Sequence, residues 1–301
     1  MLVPVPSKPG SPDAEAAAAH ATRLVAEASA HPESSSAPPS DDPLPGETPR
    51  RRIALRTLRA GDPLRWLAAG WRDFKRCPQI GLFYGACFMV MGWAILKVFE
   101  SAPAYTLALS AGFLLMGPFL CLGLYRASQR LEQGQRPGFA DSLLAWDTRT
   151  GQLAIFGVVL LVLEMLWGRA TLVVFAVSFD GMPDFKGWLT ALLNIDNLGF
   201  IVAWAAVGAV FATLIYALSV VSIPMILHRQ TDAITAGLTS MRLFFSQTGV
   251  MLLWAALIAA TVFLALLPWF AGLLVVGPVI GHASWHAYRQ AVGDEEAVTA
   301  G

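Results

Sequence analysis

From about residue 77 onward the chain is built of continuous apolar runs rather than alternating apolar and polar positions. Six such runs fall at about 80–99, 104–124, 152–178, 199–227, 248–267 and 270–288. A helix that crosses the hydrocarbon core of a bilayer needs roughly 20 mostly apolar residues, which each run supplies. A membrane strand would alternate faces at every residue, so unbroken runs point to helices rather than a barrel. The third and fourth runs are long enough to tilt or to add turns beyond the bilayer. The pattern therefore predicts an all-α membrane protein with six transmembrane helices.

Residues 62–76 have a different periodicity. Leu64, Leu67, Ala68, Trp71 and Phe74 recur at helical spacing, and Arg65, Arg72, Lys75 and Arg76 occupy other positions. Asp62 suits an N-cap and Pro63 the first helical position. Apolar and aromatic residues opposite basic ones predict a helix lying in the membrane interface. The competing reading is an amphipathic helix packed on its own protein.

The runs also suggest a threefold repeat of one hairpin unit: a short amphipathic segment, a span, a tight turn and a returning span. The segments open near Asp62, Asp141 and Asp232, and Gln79, Gln152 and Gln247 precede the odd spans. Pro118, Pro224 and Pro278 recur in the returning spans, two of them as the pairs Gly117-Pro118 and Gly277-Pro278. Tyr125-Arg126, His228-Arg229 and Tyr288-Arg289 close the three units.

Composition divides the chain. Residues 1–50 are rich in Pro, Ser and Ala and are expected to form a disordered tail, with no pattern of a secretory signal. The six-span domain is expected over 51–290, with a short flexible tail over 291–301. Charged residues are 14% of the chain, against about 25% in soluble domains. Net charge is zero, yet basic residues cluster between Arg50 and Arg76. That cluster reads as an anchor beside the first span rather than as a nucleic-acid surface. Arg126, Arg130, Arg136, Arg149, Arg229, Arg242 and Arg289 fall on the same side of the six-span arrangement, and only Lys186 lies in a loop on the other. This asymmetry places both termini in the cytoplasm.

Few residues carry candidate chemistry. Glu164 lies near the middle of the third span, with Arg169 five residues on. A charge in hydrocarbon is costly, so the two predict either an ion pair that ties helices together or a proton or ion path. Lys97 and Glu100 predict an exposed pair. His282 and His286, at (i, i+4), share one face of the last run, and His228 lies at the end of the fourth. Such spacing can serve a metal or haem, but neither paired cysteines nor an HExxH motif supports it, so interfacial hydrogen-bonding residues are expected. Cys77, Cys87 and Cys121 form no CxxC pair, and Cys87 and Cys121 read as small core residues. Trp66, Trp71, Trp93, Trp146, Trp188, Trp269 and Trp285 fall mostly near span ends, as aromatic belts do. No phosphate-binding glycine loop or hydrolase elbow is present. No cofactor, metal or enzymatic activity is expected.

Four stretches carry a resemblance: DPLRWLAAGWRDFKRCPQIGLFYG, GPFLCLGLYRASQRLEQGQRP, SVVSIPMILHRQTDAITAGLTSMRLFFSQ and VVGPVIGHASWHAYRQ. Over about residues 55–290 the chain resembles an uncharacterised family of bacterial integral membrane proteins, domain of unknown function 2189. The resemblance implies a multi-pass inner-membrane protein with no assigned activity. Some relatives carry a label as cytochrome c oxidase subunits. A haem-copper centre needs several histidines inside the bundle, and here His228, His282 and His286 all lie at one face. The resemblance thus leaves at most an accessory role beside a respiratory oxidase. Two broader expectations stand beside it: association with another membrane protein or a second copy, in assembly or support, and transport of a small solute or ion through Glu164 and Arg169.

Overall fold

The structure, a computed structural model, describes residues 53–101, 106–145, 147–179 and 197–293. The N-terminal tail, Trp146, the segment with Lys186 and Trp188, and the last residues of the C-terminal tail lie outside these. The described chain is helical. It runs through α1 (Asp62–Arg76), α2 (Pro78–Ser101), α3 (Thr106–Glu132), the short α4 (Phe139–Leu143) and a 3-10 turn at Asp147–Arg149. It continues through α5 (Thr150–Ser178), α6 (Leu198–Ser219), α7 (Ser222–Arg229), α8 (Ala233–Ser246), α9 (Thr248–Leu266) and α10 (Leu273–Ala291).

Four of the six predicted runs form helices long and apolar enough to cross a membrane: Pro78–Ser101, Thr150–Ser178, Leu198–Arg229 and Thr248–Leu266. The third of these is α6 and α7 joined across a break at Val220–Val221. The other two runs form α3 and α10, which carry Pro118 and Pro278 inside them and more polar residues at their ends.

Helix α10 is the hub. It packs against α1, α2, α3 and α9. Apolar attraction does not hold helices together where lipid is as apolar as they are, so close backbone approach must. Gly70 of α1 and Gly85 of α2 provide it. A Cβ built on Gly70 would lie 2.4 Å from the Val279 carbonyl oxygen, and one on Gly85 2.0 Å from that of Leu274. Helices α5 and α6 form a second, looser pair, with α8 packed against α6 and α7. Only 11% of the apolar window of α5 and 6% of that of α6–α7 is buried inside the chain. Among the described residues most of the sides of α5 and α6 are therefore uncovered, whereas Ile223, Met225, Ile226 and Leu227 of α7 are buried.

The amphipathic helix resolves differently from its sequence pattern. Trp66, Gly70, Asp73 and Phe74 of α1 are buried, while Leu64 and Trp71 stay exposed. So α1 packs on its own protein through one stripe and leaves a second apolar stripe outside. Asp62 is not the N-cap, which is Gly61. Its Oδ2 instead accepts the Arg59 backbone N–H at 2.7 Å, and this bond, opposed by burial, holds its carboxyl below the usual carboxylate range. Asp232 does cap α8, accepting from the Thr235 N–H at 2.8 Å.

Backbone pairing continues past the end of α10. Val292 is buried and bridges Leu55, the Arg56 N–H donates to the Ala291 carbonyl at 2.9 Å, and the Gly293 N–H to that of Ala54 at 3.0 Å. These backbone bonds clip the segment before α1 to the end of α10. Gln152 and Gln247 clip other joints: Gln152 Oε1 accepts the Ala233 N–H at 2.9 Å, and the Gln247 amide bonds both Leu58 and Arg56 of the backbone.

Candidate functional site

Five polar side chains meet where α1, α3 and α10 cross. Asp73 comes from α1, Cys77 follows that helix, Ser128 lies on α3, and His282 and His286 lie on α10. Asp73 Oδ2 is the shared acceptor: Ser128 Oγ donates to it at 2.8 Å, and His286 Nε2 lies 2.8 Å from it. His282 Nδ1 lies 2.8 Å from Ser128 Oγ. Since the serine proton goes to the carboxylate, His282 Nδ1 must carry the hydrogen that the serine oxygen accepts, a tautomer assigned from the network. His282 Nε2 then faces Cys77 Sγ at 4.0 Å, and that thiol donates to the Asp73 backbone carbonyl at 3.2 Å.

The cluster is closed. Ser128 and His282 are fully buried, Asp73 and Cys77 nearly so, and His286 reaches partly to the surface. Burial pushes the Asp73 carboxyl up, but hydrogen bonds from His286 and Ser128 outweigh it and leave the group below its ordinary value. Burial and the neighbouring Asp73 charge push the Cys77 thiol up to about 11. Asp73 is thus ionised and Cys77 a thiol at neutral pH. The residues are those of a hydrolase triad in the wrong order. A triad places histidine between serine and acid, so that the serine proton moves to histidine. Here serine is in the middle and gives its proton to the acid. The arrangement ties three helices together and can relay a proton, but it holds no activated nucleophile. Among the described residues, no three His, Cys, Asp or Glu side chains are grouped so as to hold a metal ion.

Two further networks flank this one. Glu132, at the end of α3, accepts from Trp285 Nε1 and Arg289 Nε, each at 3.0 Å. His228 Nδ1 lies 2.9 Å from the Tyr288 hydroxyl, and Arg229 Nε donates to that hydroxyl at 3.1 Å. Arg229 also reaches the Val292 carbonyl at 3.2 Å and that of Gly293. The three histidines singled out in the sequence therefore gather at one end of the bundle, each in a hydrogen-bonded setting. Sequence reasoning passed over Asp73, Ser128 and Glu132.

Glu164 and Arg169 are not brought together. Five residues on a helix turn about 140° away from each other. Glu164 is 8% exposed, whereas Arg169 points outward, and no ion pair joins them. Among the described residues Glu164 Oε2 has no hydrogen-bond partner. Thr171 Oγ1, two turns on along α5, is likewise buried without one. Lys97 and Glu100 do pair, at 3.3 Å in an exposed setting. Of the helix-breaking positions, Gly117 faces open space, Gly277 lies against the Phe88 ring, and Pro224 sits in α7 just past the break from α6. An apolar crevice of about 550 Å³ lies between α2, α3 and α5, and the Tyr84 hydroxyl in its wall donates to the Ser142 carbonyl at 3.1 Å.

A family model described as "Predicted integral membrane protein (DUF2189)" matches residues 106–228. The chain is similar to this family over that stretch. The stretch runs from α3 through α7 and is shorter than the resemblance read over 55–290. Ser128, Glu132, Glu164, Arg169 and His228 lie within the domain, while Asp73, His282 and His286 lie outside it. No curated protein and no solved structure matches the chain. Domain and helices agree that this is an integral membrane protein with several apolar helices, in contact with the bilayer.

Proposed function

We propose that the chain is a non-enzymatic, six-span protein of the bacterial inner membrane that acts by associating with other membrane proteins, in an assembly or accessory role. In this reading α3 and α10 complete the six spans. The three hairpin units are α1–α3, α4–α7 and α8–α10, and both termini are cytoplasmic. The observation that carries it is the distribution of surface. The polar cluster of α1, α3 and α10 is closed and internally satisfied, whereas, among the described residues, α5 and α6 leave most of their apolar sides uncovered. A protein whose chemistry is sealed and whose helix sides are free acts through those sides.

Photo-crosslinking groups placed at Val162 and Val173 of α5 and Val210 of α6, all exposed, test this. Discrete protein adducts are expected in native membranes, to another protein or to a second copy. Adducts to lipid only, from all three positions, overturn the reading. Reporter fusions after Arg136 and after Gly301 are both expected to report cytoplasm.

A second reading is favoured by one observation, the unpartnered Oε2 of Glu164. A buried carboxyl with a free oxygen is what a proton-coupled transporter would place on its path. The free carboxyl carries this reading without Arg169.

A further inference from the structure

Four arginines from three segments open onto one pocket of about 440 Å³: Arg56 ahead of α1, Arg65 and Arg72 on α1, and Arg289 on α10. His286 lines it as well, and Glu132 is the one carboxylate in its wall among the described residues. The helix spacing builds it. Arg65, Ala69 and Arg72 follow one stripe of α1 at i, i+4 and i+7, and the small Ala69 leaves the space between the two guanidiniums open.

The donors are not used up. Glu132 already accepts from Trp285 and Arg289, so it has little left to neutralise Arg65 and Arg72. Arg289 spends only Nε on that bond, Arg72 only Nε on the Ala68 carbonyl at 3.4 Å, and Arg65 only Nη1 on Asp62 at 3.3 Å. Among the described residues the other nitrogens of Arg65, Arg72 and Arg289 make no hydrogen bond, and guanidinium groups bind phosphate oxygens in pairs. Beside this stripe, Leu64 and Trp71 form the exposed apolar stripe of α1. Such a stripe seats a helix at headgroup depth, so the arginines stand where phospholipid phosphates are.

We propose that this pocket binds a phosphate group, and that the adjoining Leu64 and Trp71 make the headgroup of an anionic phospholipid its source. The lipid source rests on the membrane placement of α1, whereas the phosphate chemistry rests on the arginines.

The test uses the full chain purified in a neutral detergent, titrated in turn with phosphatidylglycerol, phosphatidylcholine and inorganic pyrophosphate while its melting temperature is followed. Phosphatidylglycerol is expected to raise the melting temperature saturably and phosphatidylcholine not to. Near a membrane surface each arginine contributes about a five-fold factor in affinity. Arg72→Gln and Arg289→Gln should therefore each weaken apparent binding roughly five-fold, and the pair about twenty-five-fold. Arg76→Gln, exposed and outside the pocket, should leave it unchanged. Ala69→Leu keeps every charge but fills the gap, and should abolish it. Pyrophosphate binding with the same arginine dependence, and no response to phosphatidylglycerol, would keep the phosphate chemistry and move its source to solution. Equal weakening by Arg76→Gln, unchanged binding in Arg72→Gln and Ala69→Leu, or no response to either anion would overturn the proposal. Melting of each variant without ligand separates lost binding from lost fold, and Arg72, being exposed, carries the test if Arg289→Gln destabilises Glu132.

Discussion

The crossing of α1, α3 and α10 and the pairing of α5 with α6 solve the problem of polar groups in opposite ways. At the crossing, a buried carboxylate, a serine and two histidines satisfy one another within 2.8 Å. In α5, Glu164 Oε2 and Thr171 Oγ1 are buried with nothing opposite them. A buried polar group left unmet costs about 1–3 kcal/mol, more when charged. The chain accordingly fixes α10 among its neighbours with polar bonds, and leaves two buried polar atoms of α5 unmet among the described residues. The first region is architecture. The second is where an external partner or solute would make a difference.

The largest break in this contrast is expected at Asp73. Asp73→Ala removes the acceptor of both Ser128 and His286 and leaves them stranded in a closed site. Losing one partner of a buried pair costs about 3–5 kcal/mol, and the partial exposure of His286 puts this case at about 3. Asp73→Asn keeps an acceptor oxygen and should lose less than half of that. Chemical or thermal unfolding in detergent measures both. An Asp73→Ala protein as stable as wild type would mean that the crossing is not held by its polar cluster.

A smaller loss is expected where the backbones of the crossing touch. Gly85→Ala must push α2 away from the Leu274 carbonyl, at an overpacking cost of about 1–3 kcal/mol. Gly117→Ala, on α3 with open space around it, should be neutral or slightly stabilising. If the two melt alike, α2 and α10 are not in close contact.

Acid should loosen the same region. The folded-state value of Asp73 is depressed, as is that of Asp62. Each therefore adds stability that is fully present above the ordinary aspartate value of about 3.9 and lost as pH falls through the lower folded value. The melting temperature is expected to be flat above about pH 5 with respect to these groups and to fall below about pH 4. The fall should be shallower in Asp73→Asn. Identical acid profiles for the two proteins would remove Asp73 from the account.

The sequence revealed these two regions unequally. Apolar runs are local, since every residue that makes a span sits in that span, and so four of the runs are recovered as helices of membrane-crossing length. The face shared by His282 and His286 was legible for the same reason, being set by helix spacing. Their partners were not. Ser128 lies 154 residues from His282, and Asp73 lies 213 from His286. No periodicity links such positions, and Asp73 is an acidic position among the basic ones of its helix. The buried stripe of α1 was misread because Gly70 and Asp73 do not count as apolar, although one gives room and the other a bond. Glu164 stood out as a charge in a hydrophobic run. The absence of any contact with Arg169 follows from helical geometry that spacing already contained.

The smallest effect is expected at Glu164, and its smallness is informative. Had Glu164 and Arg169 formed a buried pair, Glu164→Leu would strand a guanidinium and cost several kcal/mol. With no such pair, the substitution removes an unmet polar group and adds apolar volume on a helix that packs mainly against α6. Its stability is expected to match wild type within about 0.5 kcal/mol or to exceed it, and Glu164→Gln should match it too. The proposed roles then separate on function, in a complementation assay of whatever phenotype loss of the gene produces. A protein that acts through its helix sides should tolerate Glu164→Gln, because the amide keeps the shape and the hydrogen-bonding capacity of the acid. A proton-coupled transporter should fold normally with Glu164→Gln and lose function, because an amide cannot exchange a proton. A large loss of stability of the purified protein in Glu164→Leu would contradict this packing of α5, since it would require a partner for Glu164 within the chain that the described residues do not offer.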